Sequence, residues 1–354
     1  MIKGNTFTKE WILSVKGKER SDQGVIEKQI YALHLLEELN NVFPSFIFKG
    51  STALSLISDT FPRFSVDIDI LVDPSDQVFF NSENLGKIVA QSQFKGFREN
   101  IRQPKRHIDK QHFEFYFDSL FSKDALILLD IVYAPSHYRD VVQKEIDNHL
   151  IDITLPKRYV KVPSVHDLLS DKLCAFAPKT IGKKLHQGRD VEVIKQMYDV
   201  SFLFRHYPMN PTFCSIYEAI ATQEIKNRVL DLTYQETILD TVLTSLNILT
   251  EGEIDNGQYP ILKDAIRRFK SYVRNHAFTM DDAKMCAIDT VYAGLLVLVE
   301  GNDNFMRIAS EQQGYLEEYR VFVKVKKWLR LNSIEYYEVF DHCLKVMSHL
   351  NIRF

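Results

Sequence analysis

The chain has 354 residues, of which 45% are hydrophobic and 26% charged, so it can form two domains, or one elaborated domain, with a large core. Its net charge of −3 excludes a wholly basic nucleic-acid coat but leaves room for a local basic face. Four cysteines without CxxC spacing argue against a disulfide framework and a zinc site, and they indicate a reducing compartment: Cys174, Cys214, Cys286 and Cys343. We expect neither a signal peptide nor a membrane span, and therefore a cytoplasmic protein without a membrane partner.

The predicted elements of the first half alternate between helices and strands. Apolar residues at helical spacing predict a helix over 24–40, and a strand, a Gly-Ser turn, a helix and a second strand follow over 46–73. Asp76 is placed to cap a helix over 77–94. Strand-like segments cover 113–119, 125–133, 150–154 and 158–162, and helices follow from Ser164 and over 187–206. This order predicts an α/β (α+β) fold with a mixed sheet flanked by helices.

The second half is predicted to contain only helices, near 215–226, 230–250, 259–273, 278–300, 315–330 and 333–350. Two prolines within residues 207–211 oppose a continuous helix, so we place the domain boundary there. The predicted organisation is an α/β domain over 1–207 and an all-helical C-terminal domain over 208–354.

Two features near residue 50 point to phosphate and metal chemistry. Gly50 and Ser51 open a helix, and backbone N–H groups with a serine hydroxyl suit a phosphate at such a position. Asp67 and Asp69 stand two residues apart on the next strand and therefore share one face, where paired carboxylates suit divalent cations. A half-exposed strand gives the same alternation, so the pair alone does not decide.

A third carboxylate, Asp130, lies inside the apolar strand ALILLDIVY. Burying it is costly without a partner or a metal, and a metal site shared with Asp67 and Asp69 would explain it. The alternative is a strand-end aspartate that caps a turn or meets an arginine. Asp73, just before Pro74, is better interpreted as a turn residue. Together the carboxylates and the Gly-Ser turn predict metal-dependent chemistry on a nucleoside triphosphate.

In combination, Gly50-Ser51, Asp67-Ile68-Asp69 and Asp130 resemble the DNA polymerase beta nucleotidyltransferase superfamily. The pattern FKGSTALSL…RFSVDIDILV resembles its AbiEii/AbiGii-type branch, the toxins of bacterial toxin–antitoxin and phage abortive-infection systems. The stretches 170–175 (SDKLCA) and 195–200 (KQMYDV) match two further motifs of that branch, and the resemblance covers about residues 30–205. Gly50-Ser51-Thr52 departs slightly from the Gly-Gly-Thr form common in the branch. The α/β domain over 1–207 thereby becomes the expected nucleotidyltransferase catalytic domain.

The resemblance implies that Lys172 lies near the nucleotide phosphates and that Asp199 completes the site. A lysine beside a metal site can also offset charge on a transferring phosphoryl group, and the alternative is a lysine whose ammonium is exposed. Asp190 lies nine residues before Asp199 on one helix and faces the opposite side, where it is expected to be solvated or paired with Arg189. Arg63 is a candidate nucleotide-binding residue, and a surface arginine is the alternative.

Two basic stretches, 95–112 and 157–195, contain six and nine Lys/Arg against two and four acids. Such charge suits the phosphate backbone of an RNA, although solvated loops have the same composition. Four histidines show no ligand spacing and are treated as ordinary: His107, His112, His137 and His166.

The leading hypothesis is a nucleotidyltransferase that uses Mg²⁺, or Mn²⁺ in its place, and an NTP. Two metals about 3.5–4 Å apart would be held by Asp67, Asp69 and Asp130, while Gly50, Ser51, Arg63 and Lys172 bind the nucleotide. The resemblance implies a tRNA acceptor and a cognate antitoxin as partner. The alternatives are a protein or small-molecule acceptor, and a catalytically idle nucleotide-binding module.

Overall fold

The computed structural model describes residues 1–19, 22–101 and 109–354, which form two compact units. Unit 1 comprises Met1–Ser164 with Tyr272–Ala277, and unit 2 comprises Val165–Ser271 with Phe278–Phe354. The chain does break between two helices at 207–212, as the prolines predict. A functional domain boundary at residue 208 remains a prediction.

Unit 1 is built on a seven-stranded sheet in the order β3-β4-β5-β2-β1-β7-β6. The strands are β1 (Ile47–Lys49), β2 (Ile68–Val72), β3 (Phe94–Glu99), β4 (Asp109–Phe117), β5 (Ala125–Tyr133), β6 (Val141–Glu145) and β7 (Tyr159–Pro163). The pairs β2–β5 and β1–β7 are parallel, and the other neighbouring pairs are antiparallel. The mixed sheet predicted from the sequence is therefore confirmed.

Four helices accompany the sheet: α1 (Lys9–Glu19), α2 (Gln23–Val42), α3 (Gly50–Ile57) and α4 (Ser82–Gln91). The predicted helix over 24–40 corresponds to α2, whose Ile26, Ile30 and Leu33 are fully buried in the core of unit 1. Along β5, alternate residues from Ala125 to Tyr133 are buried, whereas Asp130 and its same-face neighbours are half-buried. The sheet thus has one core face and one more open face, and Asp130 lies on the open one.

Several elements of unit 1 differ from the sequence prediction. The helix expected over 77–94 is divided into a 3₁₀ turn (Pro74–Phe79), capped by Asp73 rather than Asp76, and α4, capped by Asn81. Residues 150–154 form no strand, because only Ile153 makes an isolated bridge, to Ile2. The strands β3 and β6 were not predicted, since each is a sheet edge without regular apolar alternation.

Unit 2 is helical, as predicted. Its helices are α5 (Val165–Ala175), α6 (Asp190–His206), α7 (Phe213–Asn227), α8 (Tyr234–Leu249), α9 (Tyr259–Phe269), α10 (Met280–Leu298), α11 (Asn302–Glu311), α12 (Val323–Asn332) and α13 (Ile334–His349). Two helices were not predicted from the sequence: α11 in this unit and α1 in unit 1. Within the described ranges, no helix has the length and apolarity needed to cross a membrane.

Candidate active site

The turn between β1 and α3 places the backbone of Gly50 against the side chain of Asp69. Gly50 has a φ of +78°, and a Cβ built on it would lie 2.3 Å from Oδ2 of Asp69. A larger residue here would therefore displace that carboxylate. In the described structure the side chain of Lys49 does not cap the first turn of α3. Together with the half-buried Ser51, this helix start has the donors that a phosphate requires.

Thr52, which sequence reasoning did not single out, ties α3 to the segment that enters β2. Its side chain is fully buried, and its hydroxyl donates to the carbonyl oxygen of Asp67 at 2.6 Å and lies 2.9 Å from Oγ of Ser65. The bond fixes the backbone of Asp67, whose side chain is exposed one residue before β2. The Gly-Ser-Thr run was the available signal, because a threonine in a first helical turn commonly bonds nearby backbone.

Asp69 and Asp130 are direct neighbours across the sheet. In the parallel pair β2–β5 their Cα atoms are register partners, so the two backbones are about 4.8 Å apart in the hydrogen-bonding direction. Ile68 and Ile70 are fully buried, whereas Asp69 is half-buried, so the alternation along β2 turns Asp69 away from the core. The geometry brings two of the three predicted carboxylates together on one face.

His112 contacts Asp130, although its spacing in the sequence gave it no role. The two residues are register partners in the antiparallel pair β4–β5, and Nδ1 of His112 lies 2.6 Å from Oδ1 of Asp130. The predicted strand began at Phe113, one residue short of this contact. The predicted hairpin of 113–119 with 125–133 brings His112 near Asp130, but the register that sets the two residues opposite each other, with Phe117 opposite Ala125, is seen only in the structure.

The three aspartates fit a divalent cation by donor chemistry, since Mg²⁺ and Mn²⁺ prefer carboxylate oxygens. Two of them are register partners, and the third is held at the entry to the same strand. Among the described residues, however, the group whose ligand atoms all lie within 4.8 Å of one another is His34, Glu37 and Glu38 on α2. Binding one ion with all three aspartates therefore requires at least one of their side chains to move, and the exposed Asp67 is the one with most room to do so.

The group on α2 is better explained as a structural hydrogen-bond cluster. Nε2 of His34 accepts from the backbone N–H of Gln93 at 3.3 Å, so the proton of the neutral ring lies on Nδ1, which then has no lone pair for a metal. Burial lowers the pKa of His34 to about 4. Glu37 accepts from the N–H of Ile2, and Glu38 from Nε2 of Gln91 at 2.9 Å.

Arg63 is buried, with only 1% of its surface exposed. Its Nη1 donates to the carbonyl oxygen of Phe64 at 3.1 Å, and its guanidinium lies 5.3 Å from the ring centroid of Phe61. The alternative of a surface arginine is therefore wrong. Contact with a triphosphate would require the side chain to move from this buried position, which no local pattern in the sequence predicts.

Lys172 and Asp199 form a buried ion pair within unit 2. Nζ of Lys172 on α5 lies 3.0 Å from Oδ2 of Asp199 on α6, and the two side chains are 5% and 0% exposed. The alternative of an exposed ammonium is wrong, while the roles of both residues at a nucleotide remain predictions. Asp190 is also buried rather than solvated: it accepts from the N–H of His186 at 2.8 Å and lies 3.7 Å from Arg268.

The predicted basic stretches are partly neutralised by acidic partners. Residues 102–108, which carry half of the Lys/Arg of the first stretch, lie outside the described residues. Ion pairs in the remainder involve Lys95–Asp118, Arg98–Glu114, Lys157–Glu145, Lys172–Asp199, Lys179–Asp255 and Lys195–Glu192. The second stretch is also divided between units 1 and 2. A basic face formed by either stretch therefore stays a prediction.

Unit 2 contains a cavity of about 400 Å³ with several cationic residues in its lining. Three cations from α9 and the residue after it line the cavity: Lys263, Arg267 and Lys270. Their spacing of four and three residues places them on one helix face. Ile266 and Phe278 add apolar lining, and Asp264, the acid in the lining, is paired with Arg267.

A comparison with protein-family models confirms the resemblance in the sequence. The family model described as nucleotidyl transferase AbiEii toxin, type IV TA system, matches residues 34–281, a range that contains all the predicted site residues. A comparison with curated proteins finds no significant match. Among solved structures the chain is similar to MenT4, a nucleotidyltransferase toxin from Mycobacterium tuberculosis, with 11% identity and a TM-score of 0.46. That match covers 82% of this chain and 99% of the other, and a likeness this low carries no argument about activity.

Proposed function

The chain belongs to the AbiEii family of nucleotidyltransferase toxins of type IV toxin–antitoxin systems, and on that premise we propose that it transfers a nucleoside monophosphate from an NTP to an RNA hydroxyl. In this proposal Asp67, Asp69 and Asp130 are the ligands of Mg²⁺, or of Mn²⁺ in its place. The observation that carries it is the contact of Gly50 with Asp69, combined with the register of Asp69 and Asp130.

The β- and γ-phosphates of the NTP would lie at the start of α3, on the backbone N–H groups beginning at Gly50 and on the hydroxyl of Ser51. Because Gly50 touches Asp69, a phosphate on this turn lies beside the first carboxylates. Mg²⁺, when bound, neutralises phosphate charge and stabilises the charge that develops in the transition state. Lys172 would offset further charge on the leaving phosphates, as the family resemblance implies.

The transfer forms one bond to the α-phosphorus, breaks another and moves one proton. The oxygen of the acceptor hydroxyl attacks the α-phosphorus, and the bond from that phosphorus to the oxygen bridging the α- and β-phosphates breaks. Pyrophosphate leaves with the bonding pair, and the hydroxyl proton passes to a carboxylate, for which Asp130 is the candidate. Asp199 would act through Lys172, which it contacts at 3.0 Å.

The cationic residues that line the cavity of unit 2, Lys263, Arg267 and Lys270, support an RNA acceptor. Contacts between such residues and phosphates position a nucleic acid without reading its sequence. A cationic small-molecule acceptor would instead favour an acidic cavity, and in the described lining one acid faces three cations. A tRNA as the RNA, and a cognate antitoxin as partner, follow from the family alone.

The acceptor can be identified with each of the four α-³²P-labelled NTPs in turn, Mg²⁺, total RNA and cell protein. We expect label from at least one NTP in tRNA-sized, RNase-sensitive material, and its loss with EDTA or in the Asp67→Ala/Asp69→Ala variant. Label in protease-sensitive material would replace the RNA proposal by protein modification. No transfer from any NTP would favour the idle nucleotide-binding module.

A further inference from the structure

A row of polar residues crosses the open face of the sheet through the proposed active site. Successive register partners on four neighbouring strands form it: Lys49, Asp69, Asp130 and His112. Directly opposed residues in a sheet point to the same face, so the row continues beyond the carboxylates onto β4. Within this row, Nδ1 of His112 lies 2.6 Å from Oδ1 of Asp130.

The contact between His112 and Asp130 has a defined direction. An ionised carboxylate only accepts hydrogen bonds, so Nδ1 of His112 carries the proton and donates it to Oδ1 of Asp130 at 2.6 Å. This bond occupies one oxygen of Asp130 and restricts rotation about its side-chain bonds. Oδ2 is then the oxygen of Asp130 left for a cation or a substrate.

Hydrogen bonds around His112 fix the position of β4. The backbone N–H of Asn100 donates to the carbonyl oxygen of His112 at 2.7 Å. Two residues along β4, Glu114 accepts from Tyr116 at 2.5 Å, from Arg98 at 2.6 Å and from Asn100 at 2.9 Å. These bonds lower the pKa of Glu114 to about 2. Glu114 is thus satisfied by other donors, and the imidazole is positioned by the β3–β4 backbone and by Asp130.

We propose that His112 is a positioning residue of the active site: its Nδ1–H fixes the rotamer of Asp130 so that Oδ2 faces the ligand position shared with Asp69. The inference deepens the proposed function and rests on Asp130 being a metal ligand there. Groups that orient a metal-binding side chain commonly change metal affinity or activity by about 10–100-fold when they are removed.

Two substitutions separate the nitrogen that acts from the one that does not. In His112→Asn the amide nitrogen can occupy the place of Nδ1 and keep the bond to Asp130, whereas in His112→Gln the amide reaches the place of Nε2. His112→Ala removes both nitrogens. The positioning role therefore predicts that His112→Asn keeps the Mn²⁺ affinity and the transfer rate that His112→Gln and His112→Ala lose. Thermal unfolding of all three variants serves as the control for folding.

The first readout is Mn²⁺ binding to the full chain without nucleotide, measured by titration with paramagnetic resonance detection. We expect the dissociation constant to rise about 10–100-fold in the Gln and Ala variants and to stay within about threefold of wild type in the Asn variant. The second readout compares kcat with KM for the NTP. We expect kcat to fall in the Gln and Ala variants while KM changes little.

Equal Mn²⁺ binding in wild type and all three variants would overturn the inference. Equal loss of transfer in the Asn and Gln variants would also overturn it, because Nε2, and not Nδ1, would then be the acting atom. Since Mn²⁺ binding requires no turnover, it decides the role of His112 even if the wild-type protein transfers no nucleotide to RNA. The proposed function is tested separately, by the labelling experiment described above.

Discussion

Among single residues, one glycine and one threonine around the carboxylates determine the geometry of the site. The missing Cβ of Gly50 makes room for Oδ2 of Asp69, and the hydroxyl of Thr52 holds the backbone of Asp67. Both residues are uncharged, but they determine the positions of the carboxylates of Asp69 and Asp67. The carboxylates themselves were visible in the sequence because acidic residues interrupt apolar strands at a spacing of two.

Gly50→Ala should abolish most of the transfer activity and lower stability. The left-handed conformation costs a residue with a Cβ about 1–2 kcal/mol, and the Cβ would lie 2.3 Å from the Asp69 carboxylate. Transfer rate and thermal unfolding measure the two effects.

Gly86→Ala is the matched control for this substitution. Gly86 lies within α4, and a Cβ added to it would meet no other atom within 4 Å. An alanine inside a helix adds about 0.5–1 kcal/mol of stability relative to glycine, so this variant should be slightly more stable and transfer normally. Normal transfer by Gly50→Ala as well would show that Asp69 does not need its present position.

Among the elements, strand identity was predictable but strand register was not. The segment 125–133 was predicted with the bounds of β5, because alternating buried residues and a flanking loop mark it in the sequence. The register of β4 against β5 depends on the conformation of the loop between them, so His112 could not be placed opposite Asp130 from the sequence alone. The edge strands β3 and β6 were missed because they lack two buried faces or a clear alternation.

The ion pair between α5 and α6 gives a prediction about stability. Asp199→Asn should lower the free energy of unfolding by about 3–5 kcal/mol, because it removes the carboxylate charge that lies 3.0 Å from the buried ammonium of Lys172. Replacing both residues, in Lys172→Met/Asp199→Leu, should restore most of that loss. If Lys172 also serves the nucleotide, the double variant folds but transfers no label. Denaturant unfolding and transfer assays measure these effects.

Glu311→Gln is the control for this experiment. It breaks the pair between Arg307 and Glu311, whose side chains are 56% and 63% exposed, and should cost less than about 1 kcal/mol. A loss in Asp199→Asn no larger than in Glu311→Gln would contradict the structural weight assigned to the buried pair. Retained transfer in the double variant would restrict Lys172 and Asp199 to a structural role.

For the molecule as a whole, sequence order and compactness give different divisions. The sequence grouped 165–206 with the sheet because the two prolines within 207–211 placed the boundary there, whereas the compact units divide at Ser164 and Val165. The segment Tyr272–Ala277 belongs to unit 1, where the backbone N–H of Arg274 donates to the carbonyl oxygen of Pro62. No local pattern in the sequence predicts this. Long-range contacts of this kind cannot be inferred from periodicity. The cytoplasmic location likewise stays a prediction.

Whether the paired carboxylates of β2 and β5 perform the chemistry can be decided by comparing nucleotidyl transfer by wild type, Asp69→Asn and Asp73→Asn under identical Mg²⁺ and NTP concentrations. Asp73 lies four residues further along, is exposed and caps a 3₁₀ turn, a role that asparagine also fills, so its variant controls for a general charge effect. We expect Asp73→Asn to stay near the wild-type rate. We expect Asp69→Asn, folded by circular dichroism, to lose at least about a hundredfold. Transfer by Asp69→Asn at the rate of Asp73→Asn would show that these carboxylates do not perform the chemistry.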